Sequence, residues 1–376
     1  MQALTLHEHL IGRQGSRRDL NTPALIVELD TLESNITTMA ALAAKAGVAL
    51  RPHAKTHKSV QIARRQIAAG AVGLCCAKLG EAEALADGGI GPLLITSPVV
   101  GAPAVKRLAA LAARSPGLMV AVDSPEVVDA IAASGAMITL LVDIDPGIHR
   151  TGVVDGAAAL ALARRIAEAP GLTFGGVQCY CGSQQHIEAF DARREAIVER
   201  TAYLETIVRS LNEAGLPPAL ITGGGTGTHA IDMELGVFNE LQVGSYVFMD
   251  RQYSACDLAG GGEARFQTAL KVDARVISAN HAFLVTVDAG FKAFSTEDGT
   301  PPVLAGAPEG SFYRFMGDEQ GCVVPPSGQA PPKLGETVTF ATPHCDPTVN
   351  LYEAYHVVRG DTLVDIWPIE GRGRSA

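Results

Sequence analysis

From residue 23 to about 250, short apolar or β-branched runs alternate with longer Ala/Leu/Glu/Arg stretches whose apolar residues recur at helical spacing. Eight runs read as strands: ALIVEL (24–29), LRPHAK (50–55), VGLCCAK (72–78), PLLITSP (92–98), MVAVDS (119–124), ITLLVDID (138–145), TFGGVQCY (173–180) and ALITGGG (219–225). The stretches between them close near glycine, as helices commonly do. Eight strands separated by helices predict an α/β fold built on a (β/α)8 barrel. After DLAGGGEARF (257–266) the rhythm changes to LKVDARVISA, HAFLVTVDAG, ETVTFATP and HVVRGDTLVDIWPI, with Pro/Gly-rich joints and little helical pattern. The expected organisation is a barrel over residues 23–258 and a β-rich domain over 259–376, joined by residues 1–22.

Composition narrows the function. A chain of 376 residues, 47% hydrophobic and 19% charged, has the profile of an ordered protein with a sizeable core. A net charge of −10 argues against nucleic acid or an anionic membrane as partner and favours small molecules. The cysteines are scattered and read as reduced thiols. With no signal-like start and no apolar run of spanning length, the expected location is the cytoplasm.

Chemistry in a barrel of this kind gathers at the C-terminal ends of strands. RPHAKTHKS places Arg51, His53, Lys55, His57 and Lys58 at one such end, and strict alternation would put Arg51, His53 and Lys55 on one face. A lysine aimed into a barrel is costly as a cation, which suits a Schiff-base nucleophile; a solvated loop is the alternative. ITGGGTGTH (221–229) is a Gly-rich turn able to offer backbone N–H groups to a phosphate, or simply a tight turn. Together the two suggest pyridoxal phosphate, anchored by an imine and a phosphate cradle. In TPHCDPTVN (342–350), His344 and Asp346 would project to the same side of an extended segment. Such a pair suits a divalent cation, and a surface turn before Pro347 is the alternative.

Taken in order, PALIVELDTLESNI, RPHAKTHKS, ITGGGTGT with NELQVGSYVFMD, and PHCDPTVN resemble the D-threonine aldolase and D-serine dehydratase group of fold-type III, alanine-racemase-like pyridoxal phosphate enzymes. The resemblance covers the chain from about residue 20 to its end. It implies an N-terminal barrel, a C-terminal β-rich domain and a homodimer with active sites at the interface. It also assigns residues. Lys55 matches the imine-forming lysine, Arg150 in GIHRTG an arginine near the phenolic oxygen, and Tyr180 in VQCYCG a tyrosine facing the pyridine nitrogen. Thr222, Gly223, Gly224, Gly225 and Thr226, with Ser245 and Tyr246, match the phosphate cradle. His186 matches a histidine near the substrate hydroxyl, and His344 with Asp346 the metal pair, Mn²⁺ first and Mg²⁺, Co²⁺ or Zn²⁺ as alternatives.

The dehydratase branch has a cysteine as second metal ligand, so Asp346 tilts the expectation toward a lyase of the aldolase branch, cleaving D-threonine to glycine and acetaldehyde. The alternatives are a D-3-hydroxyaspartate aldolase, a D-serine dehydratase and a non-catalytic pyridoxal-phosphate-binding protein. An alanine racemase has no use for the metal pair. The chain departs from the aldolase pattern after FMD, where Arg251 and Gln252 precede Tyr253; Arg251 is a candidate cation for a distal carboxylate.

Overall fold

The computed structural model describes residues 5–376 and divides them into two compact units. One comprises Thr37–Gly244, Cys256–Ala264 and Gly373–Ala376; the other comprises the chain up to Ile36, Ser245–Ala255 and Arg265–Arg372. Because β1 (Ala24–Glu28) belongs to the second unit, the barrel strands begin at β2 (Ala49–Leu50). They continue through β3 (Leu74–Cys76), β4 (Leu93–Ile95), β5 (Met119–Val122), β6 (Ile138–Ile144), β7 (Leu172–Cys179), β8 (Leu220–Gly223) and β9 (Glu240–Leu241).

These eight strands form one parallel sheet in the order β2-β9-β8-β7-β6-β5-β4-β3. Its end strands meet through a parallel His53–Cys75 bridge and a 2.8 Å bond from the Cys75 N–H to the Pro52 carbonyl. β3 and β4 are buried at every position, which explains why their sequences run apolar instead of alternating.

Two expectations are corrected here. ALIVEL is not the first barrel strand: β1 pairs antiparallel with β10 (Leu270–His281) and parallel with β16 (Ala354–Arg359). The eighth place in the barrel is taken by β9, a two-residue strand too short to register as a run. LRPHAK does not extend to Lys55 either. Pro52 has no N–H to give a ladder, and Ala54–Thr56 coils into a 3₁₀ turn whose start is capped by His53.

The second unit is built on a nine-stranded sheet. Besides β1, β10 and β16 it holds β11 (Leu284–Val287), β12 (Val303–Ala305), β13 (Phe312–Phe315), β14 (Gly321–Val324), β15 (Thr337–Ala341) and β17 (Thr362–Pro368). The N-terminal segment is tied to it. Arg17 forms a two-pronged ion pair with Asp273 of β10 (2.8 and 3.0 Å) and reaches Glu28 of β1 at 2.5 Å. Among the described residues no helix is long and apolar enough to cross a membrane, and all seven cysteines are buried free thiols.

Candidate active site

In the barrel unit, Lys55 stands in the 3₁₀ turn that follows β2. His53 Nδ1 accepts the Lys55 backbone N–H at 3.3 Å, and His53 Nε2 lies 3.1 Å from Thr96 Oγ1 beyond β4. The neighbouring cations named with Lys55 are committed elsewhere. Arg51 is buried against Glu240, with three nitrogen–oxygen distances of 2.9–3.0 Å, and Lys58 is buried in an ion pair with Glu81.

From Glu240 a chain of hydrogen bonds crosses the strand ends. Thr222 donates to Glu240 (3.0 Å), and Gln242 donates to Thr222 and to Gln178 (both 3.2 Å). Gln178 in turn donates to Asp143 (2.9 Å), which also accepts from Thr151 (2.8 Å). Burial pushes the Asp143 carboxyl up to about 6 despite these donors. The Thr222 hydroxyl is therefore spent within the barrel, and its candidate role at a phosphate narrows to its backbone.

The Gly-rich turn after β8 is held from behind by three buried side chains. Gln185 accepts the Gly227 N–H (2.9 Å) and donates to Thr228 Oγ1 (3.0 Å). Thr228 accepts the Gly225 N–H (3.2 Å) and donates to Asp232 (2.5 Å). Burial raises the Asp232 carboxyl to about 7. The approach is too close for a side chain at these glycines: a Cβ at Gly223 would lie 2.0 Å from the Cys179 carbonyl, and one at Gly227 2.0 Å from that of Gln185. Gly224 adds φ +66°, so its glycine is required on conformational grounds as well. His186 follows Gln185 directly, in a turn before the helix Phe190–Glu213.

Arg150 and Tyr180, far apart in sequence, are brought together: the guanidinium carbon lies 5.3 Å from the centre of the Tyr180 ring. The loop before Arg150 is folded around Asp145, which accepts N–H bonds from Gly147, Ile148 and His149 at 2.8–3.1 Å. Burial opposes ionisation of Asp145, but the bonds from His149, Gly147 and Ile148 prevail and hold its carboxyl below the ordinary range. They also hold His149 at φ +56°, a conformation that non-glycine residues adopt only when their surroundings impose it.

The remaining candidates lie in the strand-rich unit. Ser245 and Tyr246 form part of a buried 3₁₀ turn, with Tyr246 edge-on to Phe266. His344 occupies the N-cap position of the short helix Cys345–Val349 without a side-chain capping bond, so Asp346 sits in a helical first turn and the extended projection expected for the pair does not occur. Cys345 is buried, its Sγ 3.5 Å from Asp346 Oδ1, and burial pushes its thiol well up.

His344 instead meets two acidic residues that no sequence motif marks. Its Nδ1 is 2.9 Å from Glu297 and 3.4 Å from Asp298, and one ligand atom from each of the three residues lies within 4.8 Å of the others. TEDG reads as an ordinary acidic turn, and only the fold brings it to His344. Asp250 fixes the same neighbourhood. It caps the turn Arg251–Ser254 through the Tyr253 N–H (3.1 Å) and accepts the Cys345 N–H (2.9 Å).

A model of the alanine racemase N-terminal domain matches residues 27–252, and one of a serine dehydratase domain matches residues 269–358. The chain belongs to the D-threonine aldolase and D-serine dehydratase group of alanine-racemase-like enzymes. Like its group it is a lyase. It is 41% identical to a D-threonine aldolase of Arthrobacter sp, covering 95% of this chain and 94% of that one. Identity to a 3-hydroxy-D-aspartate aldolase of Paracoccus denitrificans is 36%, over 95% and 93% of the two chains. The crystal structure of D-threonine aldolase from Filomicrobium marinum superposes with a TM-score of 0.91 at 40% identity, covering 95% of this chain and 97% of that one.

Proposed function

We propose that this lyase cleaves D-β-hydroxy-α-amino acids between Cα and Cβ with pyridoxal phosphate and a divalent cation, D-threonine giving glycine and acetaldehyde. One observation carries the reading: the chain that holds a lysine and a rigid Gly-rich turn at its barrel strand ends also holds an imidazole–carboxylate cluster, for which a racemase has no use.

The barrel residues fit the cofactor. The Gly-rich turn leaves backbone where side chains would collide, and Thr56 Oγ1, buried one residue beyond Lys55, has no hydrogen-bond partner among the described residues. Lys55 would hold the cofactor covalently, Arg150 would face its phenolic oxygen and Tyr180 its ring nitrogen. The turn Thr222, Gly223, Gly224, Gly225 and Thr226 would take the phosphate, a role the resemblance extends to Ser245 and Tyr246. When bound, the cofactor supplies the electron sink that bond cleavage needs. His344 and Asp346 would hold the cation, Mn²⁺ in this reading, which supplies Lewis-acid polarisation of the β-hydroxyl. His186 takes the hydroxyl proton as general base, a role worth about 10²–10⁴-fold in rate. A cytoplasmic homodimer completes the reading.

A second substrate is favoured by one contact. Arg251 Nη1 donates to the Asp298 carbonyl at 2.6 Å, so a guanidinium stands on the loop that meets His344. A distal carboxylate, as in D-3-hydroxyaspartate, is the substituent it would accept. Purified protein offered D-threonine, D-3-hydroxyaspartate and D-serine separately tests both readings. Acetaldehyde and glycine from D-threonine support the aldolase, glycine and glyoxylate from the aspartate analogue support the second substrate, and pyruvate from D-serine as sole product would replace both with a dehydratase.

A further inference from the structure

His344 turns one nitrogen toward two carboxylates. Nδ1 lies 2.9 Å from Glu297 Oε1 and 3.4 Å from Asp298 Oδ2, while the residue two further on, Asp346, is its proposed partner in holding the cation. A neutral imidazole carries one proton, and the nitrogen that faces carboxylate oxygens is the one that bears it. The lone pair is then on Nε2. Metal-ligating histidines commonly use this arrangement, one nitrogen bound to the ion and the other donating to a carboxylate.

We propose that Glu297 and Asp298 are positioning residues: together they hold His344 as the Nδ1–H tautomer and reserve Nε2 for the cation shared with Asp346. This rests on the His344/Asp346 pair proposed above. The loop is fixed to the helix start by its own bonds. Ser295 Oγ accepts the His344 N–H and donates to the His344 carbonyl, both at 3.1 Å, and the Ser295 N–H is received by Thr348 Oγ1 at 3.0 Å. Thr348 Oγ1 itself donates to the His344 carbonyl at 2.7 Å. On the far side of the loop, Arg251 holds the Asp298 carbonyl. The loop that carries the carboxylates is thus in place by contacts that require no ion. The competing arrangement, in which Glu297 and Asp298 bind the cation directly beside Nδ1, is equally compact and is separable by experiment.

The test is Mn²⁺ titration of the full-length protein by calorimetry, comparing wild type with E297A/D298A, E297Q/D298N and D346N, each first shown to melt like wild type. Loss of outer-shell partners typically weakens metal binding by about 10–100-fold, and that is the loss expected for the alanine pair. The amide pair, whose carbonyl oxygens still accept from Nδ1–H, recovers most of the affinity, and D346N loses at least as much as the alanine pair. In metal-free protein labelled with ¹⁵N-histidine, with H344Q for assignment, His344 shows a protonated Nδ1 in wild type and a tautomer mixture in the alanine pair. An amide pair as weak as the alanine pair, with D346N unaffected, would make the carboxylates direct ligands and overturn the proposal. Wild-type affinity in the alanine pair would overturn it too, without touching the His344/Asp346 pair. A wild type that takes up no Mn²⁺ removes the cation centre itself, and the positioning role with it.

Discussion

The barrel site and the His344 cluster solve different problems. Around the Gly-rich turn, Gln185, Thr228 and Asp232 are buried and bonded to one another, and there is no room for one more carbon at Gly223, Gly225 or Gly227. Around His344, the imidazole is partly exposed and Glu297 is about half exposed, with 49% of its side chain accessible. A rigid, filled cradle suits a ligand that stays through many turnovers. A partly exposed imidazole beside a stapled loop suits an ion that exchanges with solvent.

The largest effect expected from this contrast is at Lys55. Lys55→Ala should bring product formation to background and abolish the visible band of bound cofactor, while Mn²⁺ titrates as in wild type because the cation residues are untouched. Loss of Mn²⁺ uptake together with the band would mean that the two sites are not separable as described.

Rigidity of the cradle is tested next. A methyl group at Gly227 meets a backbone carbonyl that cannot rotate away, so Gly227→Ala should cost about 3 kcal/mol, the upper part of the range for overpacking, read in a urea melt. Gly156, at the start of the helix Gly156–Glu168, is the control. Its added Cβ would find ordinary contact with Ile207 at 3.7 Å, and Gly156→Ala should be neutral or stabilise by up to about 1 kcal/mol. Equal melting of the two variants would remove the claim that the turn is filled.

Asp232 gives the smaller, pH-dependent effect. Burial raises its carboxyl to about 7 in the fold, above the ordinary value near 3.9, so the folded protein holds this proton more tightly than the unfolded chain. Its favourable contribution is complete below about pH 4 and is lost as pH rises from there through about 7, by up to about 1.4 kcal/mol per pH unit in that window. Asp232→Asn removes the ionisation. The Tm difference between variant and wild type should shift in the variant's favour from pH 5 to pH 8, and a constant difference would contradict a protonated Asp232.

The same contrast marks what the sequence makes legible. Lys55 and the turn at 222–226 stand out in compact local motifs near strand ends, whereas Arg150 and Tyr180 are singled out only by the resemblance. The sheet that holds β1 is not legible, because its first four residues are all buried and an uninterrupted apolar run does not say which sheet buries it. β9 is not legible either, because two residues carry no period. Glu297 and Asp298 are legible only through tertiary structure, since 47 and 46 residues separate them from His344 and nothing local in TEDG distinguishes a metal neighbourhood from a surface turn. The barrel strands, with their helices between, declared the fold; the loop that meets His344 did not declare its chemistry.

The central claim is that a cation held at His344 takes part in aldol cleavage carried by the barrel. It is tested most directly by following acetaldehyde release from D-threonine in protein as purified, after EDTA, and after EDTA followed by Mn²⁺. The account predicts loss of acetaldehyde and glycine with EDTA and recovery with Mn²⁺, with the cofactor band unchanged throughout. Acetaldehyde release that persists at its full rate in EDTA, from protein shown to be free of metal, would contradict it.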